Sequence, residues 1–289
     1  MLDRAASLTL ETFMILNLPQ RSSRLAVVRR WCASLTCALL AFGAVQASAA
    51  DLATIEERGV LRVAVPQDYP PFGSIGADLE PQGYDIDTAR YLAEQIGVEL
   101  ELVPVTSANR IPYLTSDRAD LVISSLGKTP EREQAIDFSS AYAPFFYGVF
   151  SATEEPEMSG PEALAGKTVG ATRGALEEIK LTEVAPSSTT LRRYEDNATT
   201  LSAFTSGQVD YVATGSPVAA ALATRGGART PHLVLTLQDS PCYIGISKGN
   251  QALKEKVDSL IAAGLADGTF DAMSERWFGM PLPESMRSL

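Results

Sequence analysis

The sequence predicts an α/β protein of two lobes, each built on a mostly parallel sheet flanked by helices, joined by a two-strand hinge. Three observations carry this expectation. Short β-rich runs alternate with helical patterns, the alternation restarts after Pro161, and two apolar extended stretches separate the repeats. With 289 residues, 45% hydrophobic and 20% charged, the chain suits two modest domains with buried cores and does not have the composition of a disordered one.

The first fifty residues read as a secretory leader. Arg21, Arg24, Arg29 and Arg30 precede an apolar run from Trp31 to Val45, and Ala47, Ser48 and Ala49 supply the small residues of a signal-peptidase site. That run is about fifteen residues, short of the roughly twenty that a membrane-spanning helix needs. Met14 is a second possible start that gives a shorter leader, and the residues before Cys37 do not fit lipoprotein processing. The expected location is the periplasm, reached through a cleaved signal peptide at residues 1–50.

Of the 24 Lys and Arg and the 35 Asp and Glu, five and two lie before Asp51, so the remainder carries 19 basic and 33 acidic groups, net −14. This charge argues against a nucleic-acid partner. Cys32 and Cys37 leave with the leader, and Cys242 alone forms no intrachain disulfide. The one histidine, His232, reads as a surface-loop residue, and no spacing resembles a zinc site or a Ser-His-Asp or Cys-His set. No metal, no cofactor and no catalytic residue is expected.

Along the remainder, strand-like runs at Leu61 to Val65, Glu99 to Val103 and Asp120 to Ile123 alternate with helices from about Ile86 to Ile96 and from about Arg110 to Ser116. In the first helix Ile86, Ala89, Arg90, Ala93 and Ile96 put mostly apolar groups on one stripe, and Gly97 stands at a natural C-cap. The second repeat has strands at Thr168 to Gly170, Thr189 to Arg193 and Tyr211 to Ala213, with helices near Leu176, from Ala198 to Ser206 and after Pro217. Ala143 to Phe150 and Cys242 to Ser247 are the extended stretches that cross between lobes, and helices from Leu253 to Phe278 return to the first. The expected division is 51–144 plus 243–289 for lobe 1 and 145–242 for lobe 2, and a hinged cleft of this kind closes on a ligand.

Several ordered motifs resemble one family. Leu61-Arg-Val-Ala-Val65, Tyr69-Pro-Pro-Phe72 and Gly83-Tyr-Asp-Ile-Asp87 look like the opening of the polar amino-acid-binding family of periplasmic solute-binding proteins (family 3). The stretch from Asp120 to Arg132, then Asp137-Phe-Ser139, Thr168 to Gly174, Gly207 to Asp210, Asp267 to Phe270 and Trp277 to Gly279 continue the match in order. The resemblance covers nearly all of residues 55 to 280. It implies the type II periplasmic-binding fold, a small polar amino-acid-like ligand, a membrane permease of an ABC transporter as partner, and a monomer.

The site that the resemblance implies can be weighed residue by residue. Arg132 offers a planar fork of donors suited to a carboxylate, or to a surface pair with Glu131 or Glu133; in the family the matching arginine holds the ligand's α-carboxylate. Ser125 and the backbone at Gly127 and Thr129 add donors at the strand end, where open α/β sheets bind ligands. Gly127 stands where the family presents a hydroxyl, leaving space for water or a larger ligand group. Tyr69 and Phe72 form an apolar wall, with core packing the simpler role for Phe72. Asn109 and Arg110 precede a helix where the family lines its side-chain pocket, and Asn109 equally suits an N-cap.

In the second lobe, Arg173, Gly174, Ala175 and Leu176 lie between a strand and a helix start, where backbone amides grip an anion. Glu177 and Glu178 follow in the first turn and stabilise the helix start. Gly215 occupies the place where the family's amino-acid binders present an aspartate to the ammonium group. Either another acid such as Glu178 or Asp239 supplies that charge, or the ligand lacks the usual head group.

Two motifs are set aside. Gly127-Lys-Thr129 lacks the earlier glycine of a P-loop, with Val122 in its place, and Glu154 to Glu157 read as a solvated loop. The competing class is an enzyme resembling cyclohexadienyl dehydratases, in which Glu177 or Glu178 would protonate a leaving hydroxyl.

Overall fold

A computed structural model describes residues 51–287; the leader expected at residues 1–50 lies outside the described residues. In chain order, the first part runs α1 (Leu52–Arg58), β1 (Val60–Val65), β2 (Asp68–Tyr69), β3 (Gly73–Ile75), β4 (Pro81–Gln82), α2 (Tyr84–Ile96), β5 (Glu99–Pro104), α3 (Arg110–Thr115), β6 (Leu121–Leu126), α4 (Pro130–Ala135) and β7 (Ile136–Ala143). The second runs β8 (Phe146–Ser151), β9 (Thr168–Thr172), α5 (Leu176–Val184), β10 (Thr190–Tyr194), α6 (Asn197–Thr205), β11 (Tyr211–Gly215), α7 (Ser216–Thr224) and β12 (His232–Asp239). The chain ends with β13 (Cys242–Ser247), α8 (Gln251–Ala266), α9 (Thr269–Phe278) and α10 (Glu284–Arg287).

Two five-stranded sheets organise these elements, with orders β5-β1-β6-β13-β7 and β10-β9-β11-β8-β12; β2, β3 and β4 form a small third sheet. The two large sheets repeat one plan. β1 pairs in parallel with β5 and β6, and β9 in parallel with β10 and β11. β13 is antiparallel to β6 and β7, and β8 is antiparallel to β11 and β12. Four strands of each sheet therefore share a direction and one opposes them.

The opposing strand is in each case the one the chain enters on arrival from the other sheet. β7 leaves at the carboxyl end of the first sheet, residues 144–145 cross, and β8 runs back; β12 leaves in the same way and β13 returns after residues 240–241. Both crossings thus join the carboxyl ends of the parallel strands, which is where open α/β sheets place their ligand crevice.

Local sequence explains the elements that frame this crevice. In α2, Ile86, Ala89, Leu92 and Ala93 are buried against the sheet, and Gly97, at φ 85°, donates its N–H to Ala93 O at 2.9 Å to close the helix. Asp85 in its first turn is also buried and accepts from Ser125 N at 2.8 Å and Tyr142 Oη at 2.6 Å, tying the helix start to the end of β6. α8 and α9 pack with β7 and α2 on the first sheet.

The first lobe's core gathers Phe72, Tyr84, Tyr142 and Phe270, all fully buried, and the second lobe's includes Phe204, Val169 and Val212. Each such side chain contributes about 1.5–3 kcal/mol by leaving water. His232 is the half-buried first residue of β12, not part of a surface loop: it pairs with Ser151 because the apolar run Leu233 to Leu235 carries it into the sheet. Cys242 is buried and free. Among the described residues no helix is long and apolar enough to cross a membrane, and no cluster of His, Cys, Asp and Glu is placed to hold a metal.

Candidate functional site

Beside the first crossing lies a pocket of about 260 Å³, open mouth included, lined by residues of both lobes. Tyr69, Ser107, Arg110 and Ser125 line it from the first lobe, with Phe145 from the crossing segment. Ala175, Leu176, Glu177 and Asn197 line it from the second. Most of that space is open mouth; the enclosed part is about 10 Å³, roughly the room for one water molecule, so a ligand is admitted only when the lobes part.

Several sequence-predicted residues meet here. Tyr69 is buried, and its hydroxyl accepts from Gly215 N at 3.0 Å and lies 3.3 Å from Thr214 Oγ1, joining the lobes. Burial and the nearby Glu177 push the phenol's pKa well above its usual value, so it stays neutral. Phe72 stands behind it, its ring 6.0 Å from Tyr69 and 5.8 Å from Phe145, within the core and outside the pocket wall. Ser125 lines the pocket at φ 42°, a strained left-handed backbone held by the bond from its N–H to Asp85.

Arg132 is 9% exposed and makes no surface ion pair with Glu131 or Glu133. Thr129 is the N-cap of its helix, accepting from Arg132 N at 3.2 Å, and Pro130 follows at N1. The guanidinium donates to Gly127 O at 2.8 Å and, across the cleft, to Gly174 O at 2.9 Å. Burial and the neighbouring Arg110 lower its pKa to about 9, which leaves it cationic at neutral pH.

The empty position at Gly127 is taken by protein, not water: a Cβ there would run into Leu176 and lie 3.0 Å from Ser240 Oγ. Gly174, at φ 75°, presents its carbonyl to both arginines, and a Cβ on it would come within 2.9 Å of Ala108 Cα.

Two predicted residues stand apart. Asn109 is exposed and makes no cap, while its neighbour Arg110 turns inward, because the side chain one step further along the helix faces β6. Arg173 is exposed and pairs with Glu195 at 3.1 Å.

Arg110, which the sequence placed only near the side-chain pocket, and residues not assigned to binding complete the site. Arg110 is 4% exposed and donates to Ser107 O, to Ser124 O at 2.7 Å and to Gly174 O at 3.3 Å. Glu177, expected to stabilise a helix start or, in the enzyme reading, to protonate a leaving group, is 3% exposed and lines the pocket; burial raises its carboxyl to about 7 against the pull of Arg110 and Arg132. Glu178 is the structural acid, bonded to Arg193 Nε at 2.6 Å and accepting from Gly174 N at 3.3 Å.

Asp68 accepts from Asn197 N at 2.7 Å, Asn197 Nδ2 and Ala198 N, so an acid of the first lobe caps a helix of the second. The run of Ala143 to Phe150 signalled Phe145, but nothing in the local pattern signalled Asn197.

A two-lobed fold with a buried arginine and a buried glutamate in the pocket between its lobes defines a class of ligand receptor, and sequence comparison agrees. The profile of the bacterial extracellular solute-binding proteins, family 3, matches residues 61–280, and the chain belongs to that family. Among its relatives is the L-cystine-binding protein TcyJ of Escherichia coli K12, 29% identical over 226 residues that span 78% of this chain and 85% of TcyJ. The ABC transporter arginine-binding protein 1 of the same strain is 29% identical, spanning 75% of this chain and 90% of that one. Similar solved structures include the ancestral amino acid-binding protein AncCDT-1, described as a precursor of cyclohexadienyl dehydratase (TM-score 0.72, 32% identity, 78% of this chain and 99% of that one). The cysteine-binding protein of Campylobacter jejuni is also similar (TM-score 0.73, 25% identity, 78% and 92%).

Proposed function

We propose that the protein is the extracytoplasmic solute receptor of an ABC transporter and binds a small amino-acid-like molecule between lobe 1 (51–144 plus 243–289) and lobe 2 (145–242). The observation that carries this reading is the convergence of two buried arginines, Arg110 and Arg132, on the Gly174 carbonyl oxygen beside the interlobe pocket, which Arg110 lines. A ligand carboxylate meeting the same donors gains charge-assisted bonds in a site shielded from water. Family membership and the names of the relatives support the amino-acid class and a permease as partner.

In the proposed cycle the ligand docks on the open first lobe, at Tyr69, Ser125 and Arg132. The loop Gly174 to Glu177 then swings over it, and the arginines exchange the Gly174 carbonyl for the ligand's carboxylate. The receptor acts as a monomer, without cofactor, in the periplasm after removal of residues 1–50. Truncating a buried charge-paired arginine costs on the order of 2–5 kcal/mol of binding. Arg132→Ala is therefore expected to weaken the amino acid that binds best by that amount in titration calorimetry; unchanged affinity would remove the assignment.

A second reading has one observation in its favour: a buried carboxyl at Glu177 held near pH 7 is suited to protonate a leaving hydroxyl. Consumption of prephenate or arogenate by the purified protein, lost in Glu177→Gln, would establish a dehydratase instead.

A further inference from the structure

The place where an amine would meet a carboxylate at position 215 is closed. Gly215 N donates to the Tyr69 hydroxyl, and a Cβ on Gly215 would collide with the Phe145 ring and lie 3.0 Å from Tyr69 Oη. An ammonium group at that strand end would meet a ring and a phenol, with no counter-charge.

The other acids near the cleft are occupied or turned away. Both Asp85 oxygens are bonded, Asp68 caps α6, and Glu178 is held by Arg193. Asp239 is exposed at the end of β12.

Glu177 differs from all of these. It is almost fully buried, lines the pocket, and has neither an ion pair nor a side-chain hydrogen bond to another residue. Arg110 and Arg132 act on it electrostatically without approaching to ion-pair distance, which leaves a gap between the charges of opposite sign. A buried carboxylate without a partner is costly to keep. The cost is offset if the partner arrives with the ligand.

We infer that Glu177 is the counter-charge for the ligand's cationic group, so that the cleft selects a compact zwitterion, its carboxylate on the Arg110 and Arg132 side and its amine against the first turn of α5. This rests on the binding-cleft reading above and narrows its ligand class. It also moves amine recognition from the strand end at Gly215 to the loop that closes over the ligand, so a molecule without the amine gives that loop less reason to close.

The test is titration calorimetry on the purified protein with the common amino acids and with the matched 2-hydroxy and 2-oxo acids, which lack the amine. Wild-type protein is expected to bind its best amino acid at least tenfold more tightly than the matched hydroxy acid. Glu177→Gln should weaken the amino acid by at least about 30-fold while changing the hydroxy acid by less than about threefold. Glu177→Asp, which keeps the charge, should retain the preference for the amine and serves if the glutamine variant does not fold.

Equal weakening of both ligands, no weakening, or a wild-type preference for the acid without an amine overturns the inference. Arg132→Ala separates the two claims: loss of binding there with full binding in Glu177→Gln removes the role of Glu177 and leaves the cleft. Failure of wild-type protein to bind any of these acids removes both.

Discussion

Arg110 and Glu177 in the interlobe pocket, and Arg132 beside it, bring two positive charges and one negative charge together, and the surroundings of each charge set its behaviour. The arginines spend their donors on carbonyl oxygens, which satisfies the hydrogen bonds without neutralising the charge. Glu177 carries the opposite charge without a partner, faced by Arg110, Arg132, Glu178 and the phenols of Tyr69 and Tyr147. Its carboxyl rises from 4.5 to about 7, so between those values the folded chain holds a proton that the unfolded chain has released. Stability from this source is complete below the ordinary carboxylate range and is lost as pH rises towards about 7. Glu177→Gln removes the effect, so in thermal unfolding without ligand its melting temperature should gain on that of wild type as pH rises from 4.5 to about 7. A constant difference would contradict the assignment. Residues carried by family motifs, such as Tyr69, Ser125 and Arg132, were legible in the sequence. Glu177 was legible only as one of two candidate acids, because a glutamate in a first helical turn has an ordinary role there, and only the docking of Leu176 over Gly127 shows that this turn faces inward.

Elements position these residues through their ends. β6 delivers Ser125 and leads to the Thr129-capped helix that carries Arg132; β9 leads through Gly174 to α5. Most of these elements were legible from periodicity and glycine placement: α2 ends at Gly97 as expected, and β5, α3, β9 and α6 agree with the pattern to within a residue or two. β7, the short α4 and β12 were not, since Ile136 to Ala143 mixes serines and aromatics without strict alternation and β12 is interrupted by bulges. Gly174 is where element geometry and function meet, being both left-handed and close to Ala108 of the opposite lobe. Gly174→Ala should cost about 1–3 kcal/mol of stability through backbone strain. It should also weaken ligand binding, because the added methyl obstructs closure; a variant with wild-type affinity would show that this approach is not part of the bound state.

At the scale of the molecule, two sheets of one plan face each other across two crossings, with both sets of parallel strands ending at the cleft. The alternation of strands and helices made this legible, whereas the pocket itself depends on contacts between residues more than a hundred positions apart, such as Tyr69 with Thr214 and Asp68 with Asn197. No local pattern encodes those pairings. If this cleft is a receptor for an amino-acid-like ligand, a thermal-shift screen of the purified protein against amino acids, hydroxy acids and prephenate will show it. A ligand at about a hundred times its Kd stabilises the folded state by about 2.7 kcal/mol, which raises Tm by several degrees for a protein of this size. A receptor role requires such a shift with at least one amino acid and its loss in Arg132→Ala. No shift with any amino acid, together with consumption of prephenate, would contradict it.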